Sequence, residues 1–335
     1  MNAAKKAVLR IVAFCLALLA CVLLAGNYLM PHSNRYLEGY TAGGILGEDF
    51  DTIDVLVIGD SNAAQGIAPM QWYEEYGFTG YTYGAAWFTV YNAYYRLKDI
   101  YQEQAPQVVV LCTEMVYSKR GSETYFDSAV NNIAGELMPL LRYHDNWKEL
   151  NAENFLQPHD YSWRDANKGF MPLTGVVPYQ GGDYMYDQGV ASIPLLAQIY
   201  LDRIVALCEE QGSELLLITV PAATSWNRSR HNGIQAYADA RGLTYIDYNL
   251  DPQGMLGLDW STDTPDTGSH LNVLGAVKLT DALGEYLTGR YSLPDHRGQA
   301  GYEHWQQDAE AWAETMAKAI PGAQKAAGQT PESAA

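Results

Sequence analysis

A serine stands where a short apolar run ends. Residues 55–58 are four consecutive aliphatic residues, which predicts a strand buried on both faces. Gly59 then allows a sharp turn. Ser61 would lie at the carboxyl end of that strand and near a helix N-terminus, where open α/β sheets bind ligands and developing negative charge is favoured. The position suits a nucleophile, although a serine there can also act only as a helix cap.

A serine nucleophile requires a base, and usually a third group that orients the base. Of the seven histidines, His270 is the best placed, because its loop leads into the last helix beside the predicted sheet. It would share the carboxyl-end rim with Ser61, and Asp266 is close enough to reach its ring across a tight turn. The chain order Ser…Asp…His on an α/β pattern favours catalysis over a capping or loop histidine.

Alternating strands and helices must position these residues. Strands are predicted at 53–58, 78–83, 107–112, 214–220 and 243–248, and helices at 63–76, 87–103, 194–211, 232–241, 272–287 and 302–319. Asn272 is a candidate N-cap for the helix that follows it. This alternation predicts βαβ units and therefore an α/β fold, a three-layer α/β/α arrangement around a mostly parallel five-stranded sheet of flavodoxin-like type.

The pattern breaks between residues 117 and 192, which contain no strong strand. We expect a partly helical insertion there, with one helix at 130–138, because the segment is too long for a simple loop. Such an insertion either shapes a substrate pocket or is only a decorative cap.

The N-terminus has the pattern of a membrane anchor or a signal segment. Lys5, Lys6 and Arg10 precede an uncharged, largely apolar run at 11–31 that is about long enough to span a bilayer. Residues 18–21 faintly resemble a lipoprotein cleavage box, so a lipidated form is an alternative. We expect an uncleaved single-pass anchor with the rest of the chain outside the cytoplasm.

The chain thus divides into five parts. They are an anchor or signal segment (1–31), a Gly-rich connector (32–50), the α/β/α domain (51–290), a C-terminal helical extension (291–320) and a disordered tail (321–335).

The net charge and the spacing of potential metal ligands argue against several classes of partner and cofactor. The 335 residues carry a net charge of −18, which repels nucleic acid and argues against a nucleic-acid partner. The four cysteines show no disulfide or metal spacing, and no His/Asp/Glu cluster or Gly-rich phosphate loop is found. We therefore expect neither a metal nor another cofactor.

Three blocks in order resemble the SGNH (GDSL-type) hydrolase superfamily. They are Gly-Asp-Ser at 59–61 after the first strand, Gly84 after the second strand, and Asp266 with His270-Leu-Asn before the last helix. The resemblance covers roughly residues 50–290. It implies that Ser61 is the nucleophile, with His270 as base and Asp266 as its partner. It also implies an oxyanion hole formed by the N–H groups of Ser61 and Gly84.

The aspartate block departs from the family pattern. The family commonly has an aspartate three residues before the histidine, where this chain has Thr267. Asp266 lies one residue further back, and Gly268 could allow a bulge that restores the geometry. Asp263 is a rival for the same role.

The third block departs as well. The family usually carries an asparagine after the third strand as an oxyanion donor, and this chain has Thr113-Glu114 there. Thr113 or Asn62 is suggested as the replacement donor.

The chain resembles one membrane-anchored branch of the superfamily in three features. They are the predicted anchor, Glu114 after the third strand and the lack of an asparagine at that place. The branch includes proteins similar to those that complete teichoic-acid D-alanylation or alginate O-acetylation beside a multispanning membrane-bound O-acyltransferase. The resemblance implies an extracytoplasmic serine esterase or O-acyltransferase that acts on an acyl ester, most readily acetyl, of a cell-envelope polysaccharide. Its partners would be the acylated glycan and a multispanning acyltransferase. The alternative is a non-catalytic glycan-binding or accessory protein.

Four further residues rank lower. Trp226 could line a substrate pocket or pack in the core, and His144 could touch substrate or be an ordinary insertion residue. We expect His231 and His296 to lie at the surface.

Overall fold

The computed structural model describes residues 3–37, 41–117, 143–149 and 158–328. Five strands form one parallel sheet in the order β2-β1-β3-β4-β5. The strands are β1 (Val55–Gly59), β2 (Gly80–Gly84), β3 (Val108–Cys112), β4 (Glu214–Thr219) and β5 (Thr244–Asp247). The predicted α/β class is confirmed, with all five strands parallel. The strand order reverses between β1 and β3, and ligands of open α/β sheets bind at such a switch point.

Helices pack on both faces of the sheet, whereas the N-terminal helix α1 (Ala3–Leu29) is exposed along most of its length. The other helices are α2 (Ser61–Gly66), α3 (Pro69–Tyr76), α4 (Val90–Ile100), α5 (Leu195–Gln211), α6 (Arg228–Asp239), α7 (Pro252–Leu256), α8 (Val273–Arg290) and α9 (Glu303–Ala326). Every residue of β1 is buried. Leu56 and Ile58 belong to one apolar cluster, whereas Val55 and Val57 belong to the other. This alternation places a hydrophobic core on each face of the sheet.

The helix expected after Ser61 is interrupted. Residues 61–66 form α2, Ile67 is extended, and Pro69 begins α3. A proline disfavours helical geometry in the residue before it, here Ala68, and is well suited to the first position of a new helix. Ser61 is consequently carried by a short helix of its own.

The predicted C-terminal boundary at Pro321 is wrong, because α9 continues to Ala326. One face of the helix stays buried through this region, at Trp312, Met316, Ala319 and Ala323. The spacing of four, three and four residues keeps these side chains on one helix face. Packing of that face offsets the hydrogen bond that a proline removes.

Part of the predicted insertion, including the expected helix at 130–138, lies outside the described residues. Within the described part, His144–Glu149 form a 3₁₀ helix. Residues 161–194 contain turns but no regular helix or strand.

The apolar helix α1 is long and apolar enough to cross a membrane, although a signal sequence near an N-terminus has the same properties. Its end is tied to the insertion. The amide of Asn146 donates to the Leu29 carbonyl at 2.9 Å, and the Tyr161 hydroxyl donates to the Pro31 carbonyl at 3.1 Å. The amide N–H of Asp160 donates to the His32 carbonyl at 2.7 Å.

A buried ion cluster joins the connector to α9. The Lys168 ammonium is fully buried and lies 2.8 Å from Glu48 Oε1 and 2.5 Å from Asp308 Oδ2. It also lies 4.2 Å from the centre of the Trp305 ring. His304 Nε2 is 3.2 Å from Glu48 Oε2. The connector is therefore packed into the fold through Glu48.

Candidate active site

Ser61 occupies a tight turn between β1 and α2. Asp60 is the N-cap of α2, and its carboxylate accepts the N–H of Asn62 at 2.9 Å. A Cβ at Gly59 would lie 2.7 Å from the Cβ atoms of Ala63 and Cys112. Because that distance is too short for real Cβ atoms, only glycine fits, and the turn brings Ser61 to the carboxyl edge of the sheet.

Ser61, His270 and Asp266 form a continuous hydrogen-bonded series. Ser61 Oγ lies 2.9 Å from His270 Nε2, and His270 Nδ1 lies 2.5 Å from Asp266 Oδ2. Asp266 Oδ1 accepts the backbone N–H groups of Ser269 at 3.1 Å and His270 at 2.9 Å. A proton on Nδ1 would face the carboxylate and leave the Nε2 lone pair directed at the serine hydroxyl. This arrangement can activate a serine as a nucleophile.

The extra residue between Asp266 and His270 is absorbed by the backbone. Thr267 and Gly268 both have positive φ, at 61° and 87°. Thr264 Oγ1 accepts the Gly268 N–H at 2.8 Å and holds this bulge in place.

Asp263 is engaged elsewhere. It is 1% exposed, and its Oδ2 lies 2.6 Å from Lys278 Nζ and accepts the Asp259 N–H at 2.9 Å. Of the two rival aspartates, the structure brings Asp266 to His270 and pairs Asp263 with α8.

A segment of the insertion runs along the loop between α7 and α8, which carries Asp266 and His270 and is called the histidine loop. This strap, residues 171–179, donates the Val177 N–H to the Thr264 carbonyl at 3.0 Å and accepts the Thr267 N–H on the Val177 carbonyl at 2.9 Å. The Val273 N–H donates to the Leu173 carbonyl at 2.7 Å. The strap could not be predicted from the sequence, because backbone hydrogen bonds of an irregular segment impose no periodicity on the residues.

The loop that leaves β4 supports the histidine loop from another side. Thr224 donates its N–H to the Gly268 carbonyl at 3.3 Å, and its hydroxyl lies 2.7 Å from that of Ser269. At the start of this exit loop, the Val220 N–H donates to Glu114 Oε1 at 2.5 Å. Glu114, which follows β3, is thus hydrogen-bonded to the loop after β4, and the same loop contacts the residues directly before His270.

Glu114 is buried beside other acidic groups. It is 7% exposed, and its Oε2 has no hydrogen-bond partner among the described residues. Burial, followed by the nearby Asp60 carboxylate, raises the pKa of Glu114 well above its ordinary value. Burial also raises the pKa of Asp60, although hydrogen bonds from Asn62 oppose that shift. A neutral Glu114 avoids an unpaired charge in this interior.

The candidate oxyanion donors have different environments. Gly84 ends β2 opposite Gly59, and a Cβ there would lie 2.9 Å from the Asp60 carbonyl oxygen, so Gly84 packs against the Ser61 turn. Asn62 is 6% exposed, and its side-chain amide donates to Asp60 Oδ1 at 3.1 Å.

Thr113 is different. Its side chain is fully buried, and its hydroxyl lies 2.6 Å from that of Thr219. Thr113 begins the 3₁₀ helix that follows β3, and its hydroxyl is engaged by Thr219 at the end of β4.

Trp226 and His231 both bind Asp247. Trp226 is 3% exposed and donates its indole N–H to Asp247 Oδ2 at 2.8 Å, so it packs in the core instead of lining an open pocket. His231 Nδ1 lies 2.9 Å from the same oxygen, and its residue is 8% exposed. His296 is 7% exposed and lies 3.0 Å from Asp54. The prediction that His231 and His296 lie at the surface is wrong. Both are buried, and a carboxylate partner offsets the free-energy cost of burying each imidazole.

The side chain of His144 lies outside the described side chains, and no role is assigned to it. In the described part of the chain, no group of three or more His, Cys, Asp or Glu residues is placed to hold a metal ion.

Comparison with known proteins gives similar structures but no sequence match. No protein-family model matches the chain, and no curated protein matches it. A GDSL-like lipase from Bacteroides thetaiotaomicron is 12% identical, with a TM-score of 0.36, over 71% of this chain and 88% of that one. The acetyl xylan esterase AlAXEase is 15% identical, with a TM-score of 0.37, over 70% and 99%. A Clostridium thermocellum family 3 carbohydrate esterase is 13% identical, with a TM-score of 0.36, over 71% and 96%.

Proposed function

We propose that this chain is a membrane-anchored, extracytoplasmic serine esterase or O-acyltransferase that acts on an acyl ester, most simply acetyl, of a cell-envelope polysaccharide. The observation that carries the proposal is the series from Ser61 Oγ through His270 to Asp266, with distances of 2.9 and 2.5 Å. It lies beside the β1/β3 switch point, where ligands of such sheets bind.

In the first half-reaction, Ser61 Oγ attacks the ester carbonyl carbon while His270 Nε2 takes its proton. Asp266 holds the ring and stabilises the imidazolium that forms. The tetrahedral intermediate then collapses, the ester C–O bond breaks, and the leaving alcohol receives the proton from Nε2. The product is an acyl-Ser61 enzyme.

In the second half-reaction, the oxygen of an O–H group attacks the carbonyl carbon of the acyl-serine while His270 Nε2 takes its proton. The bond between that carbon and Ser61 Oγ then breaks, and Oγ receives the proton back from Nε2. Water as the attacking group gives hydrolysis, and a sugar hydroxyl gives transfer. Both outcomes use the same residues, so the proposal includes both.

Negative charge develops on the carbonyl oxygen in each half-reaction and requires hydrogen-bond donors. The N–H groups of Ser61 and Gly84 are the proposed donors, and Asn62 is the proposed third. Support comes from the packing of Gly84 against the serine turn and from the place of Asn62 directly after Ser61.

The proposed setting follows from α1. An apolar helix of this length suits a single membrane span, with the α/β/α domain outside the cytoplasm. In this setting a multispanning O-acyltransferase is the proposed partner for the acyl group. The net charge of −18 favours neither nucleic acid nor anionic lipid as a partner.

The test uses the full-length chain in detergent. A fluorophosphonate probe, which reacts with activated serines, should label the wild type and Ser292→Ala but not Ser61→Ala. Ser292 is exposed and follows α8, so it controls for the loss of a serine hydroxyl. Acetate release from an acetylated oligosaccharide should follow the same pattern, and acetylated acceptor sugar in the same reaction would show transfer.

Absence of labelling in a wild-type protein with an intact circular dichroism spectrum would contradict the proposal. That result would favour a non-catalytic accessory protein that binds glycan in the same cleft.

A further inference from the structure

The insertion covers one side of the last two turns of α1. Residues 4–21 of the helix are exposed. Burial begins further along, at positions 22, 25, 26 and 29, which lie on one helix face. The 3₁₀ helix His144–Glu149 packs against α1. We call residues 143–149 and 158–164, which meet the C-terminal end of α1, the collar.

Side chains of the collar bind backbone carbonyl groups at the end of α1. The Asn146 amide donates to the Leu29 carbonyl at 2.9 Å. His159 Nε2 lies 3.1 Å from the Asn27 carbonyl and is the donor, because a carbonyl oxygen only accepts. The last four carbonyls of a helix have no partner within the helix, and an unpaired carbonyl is costly in a membrane. The collar therefore supplies donors that this end of α1 needs beside lipid.

The proposed membrane span sets the depth of the collar. Arg10 is the last charged residue of α1, and the helix rises about 28 Å between Arg10 and Leu29. The hydrocarbon core of a bilayer is about 30 Å thick. With Arg10 at the cytoplasmic boundary of this core, Leu29 lies at its outer boundary. The collar, which is bound to Leu29, then lies in the interfacial region between acyl chains and water.

The composition of this part of the chain suits that region. Residues 27–37 and the collar together contain six Tyr or Trp residues, three Lys or Arg residues and three Asp or Glu residues. Tyrosine and tryptophan are enriched at membrane–water interfaces, because one part of each side chain is apolar and another is polar. The local charges balance although the whole chain carries −18, so this surface does not repel a bilayer.

Trp147 is the exposed tryptophan of the collar. It lies in the 3₁₀ helix that packs against α1, and it is 62% exposed. It directly follows Asn146, so its Cα lies about 3.8 Å from that of the residue that binds Leu29. Its indole is therefore at the depth where α1 leaves the hydrocarbon core.

We propose that the collar is a membrane-contact surface and that the Trp147 indole inserts into the interfacial region of the bilayer around α1. This inference rests on the membrane setting of the proposed function and is independent of its serine chemistry. The ring packs at the boundary of the acyl chains, while the indole N–H keeps water or a lipid ester carbonyl as its partner. The exposed face of α1 continues into the same lipid, so the bilayer is the proposed occupant of this surface.

The test measures how bromine atoms on lipid acyl chains quench tryptophan fluorescence. The full-length wild type, Trp147→Phe and Trp260→Phe are reconstituted into vesicles of phosphatidylcholine brominated near either the carboxyl or the methyl end of the acyl chains. Residues 1–31 contain no tryptophan, so quenching reports on the rest of the chain. Trp260 is the matched control, because its ring packs against Tyr179 and Tyr184 with ring centres 6.0 and 6.1 Å apart.

Bromine near the carboxyl end should quench the wild type more than bromine near the methyl end, since an interfacial indole stays shallow. The emission lost to the shallow bromine, per mole of protein, should fall about twofold or more in Trp147→Phe. It should be unchanged in Trp260→Phe. Circular dichroism and fluorophosphonate labelling should be the same for all three proteins.

Three results would overturn the inference. Equal quenching of the wild type and Trp147→Phe would show that the indole does not contact lipid, and would favour a protein partner for the collar. Stronger quenching by the deep bromine would exclude an interfacial position. Release of the wild type from the vesicles by alkaline carbonate would reject the membrane setting itself. Absence of fluorophosphonate labelling with quenching as expected would contradict only the serine chemistry and would support the collar as a membrane contact.

Discussion

Asp266 Oδ2 lies 2.5 Å from His270 Nδ1 while Asp266 Oδ1 accepts the backbone N–H of the same histidine at 2.9 Å. One carboxylate thus holds both the ring and the main chain of His270. The left-handed conformations of Thr267 and Gly268 make this double contact geometrically accessible across four residues.

Replacing Asp266 by asparagine should lower kcat about 10³- to 10⁴-fold, because the amide no longer holds the imidazole in the required tautomer. Steady-state ester hydrolysis measures the effect. Asp263→Asn is the matched control. It should lower the free energy of unfolding, since it weakens the contact with Lys278 at 2.6 Å, and leave kcat within about threefold of the wild type. The reverse ranking of the two kcat values would exclude Asp266 as the partner.

Gly268→Ala should lower both stability and activity. Its φ is 87°, and an added Cβ would lie 3.1 Å from the Ala223 Cβ. The strain should lower the free energy of unfolding by about 1–2 kcal/mol, and displacement of the bulge should lower kcat. Gly212→Ala provides the comparison, because Gly212 has φ of 78° with open space around it at the end of α5. It should lose similar stability in urea unfolding and retain kcat. Equal kcat values for the two variants would contradict a role for the bulge.

Glu114 should make the wild type less stable as the pH rises. Burial and then Asp60 raise its pKa well above 4.5, so the folded protein keeps a proton that the unfolded chain releases. The free energy of unfolding therefore falls as the pH rises from about 4.5 towards the folded-state pKa. Glu114→Gln should flatten this decline, because an amide is neutral and still offers an oxygen to Val220. Urea unfolding between about pH 5 and pH 8 measures the slopes. Glu210→Gln, on the exposed face of α5, should keep the wild-type slope, and an equal slope in Glu114→Gln would refute the assignment.

Lys168→Met should be among the most destabilising single substitutions. Burial on its own raises the pKa of Glu48, but Lys168 and His304 outweigh it and hold that pKa below its ordinary value. Without the ammonium, Glu48 keeps only His304 as a partner and Asp308 loses its cation, at a cost of about 3–5 kcal/mol in the free energy of unfolding. Adding Glu48→Gln should recover part of that loss. Lys98→Met on the exposed side of α4 should change stability by about 0.5 kcal/mol or less. A small effect in Lys168→Met would show that the cluster contributes little.

Local sequence patterns were sufficient to predict the sheet and the serine turn. The aliphatic run before Gly59 and the alternation of strands and helices predict the fold, because strands buried on both faces of a parallel sheet consist mostly of such aliphatic residues. The N-cap role of Asn272 is confirmed, since its side chain accepts the N–H groups of Leu274 at 3.0 Å and Gly275 at 3.3 Å.

Contacts between residues far apart in the chain decide between the alternatives that the sequence pattern left open. Asp263 and Asp266 lie in one polar loop, and Lys278 on α8 is what distinguishes them. Trp226 and His231 share Asp247 as a buried partner across 21 and 16 residues. No local pattern encodes such pairings, because they arise only when β5 and α6 are packed together.

The junction between α1 and the rest of the chain has a mechanical consequence. Gly26 and Leu29 are buried at the end of the helix, and hydrogen bonds from Asn146 and Tyr161 hold the backbone that follows. A flexible tether would let the domain swing, whereas this junction couples its tilt to that of the helix. In the proposed bilayer setting, Ser61 would work at a nearly constant height above the lipid headgroups. Acceptors would then be selected by how far they extend from the membrane, as well as by their chemistry.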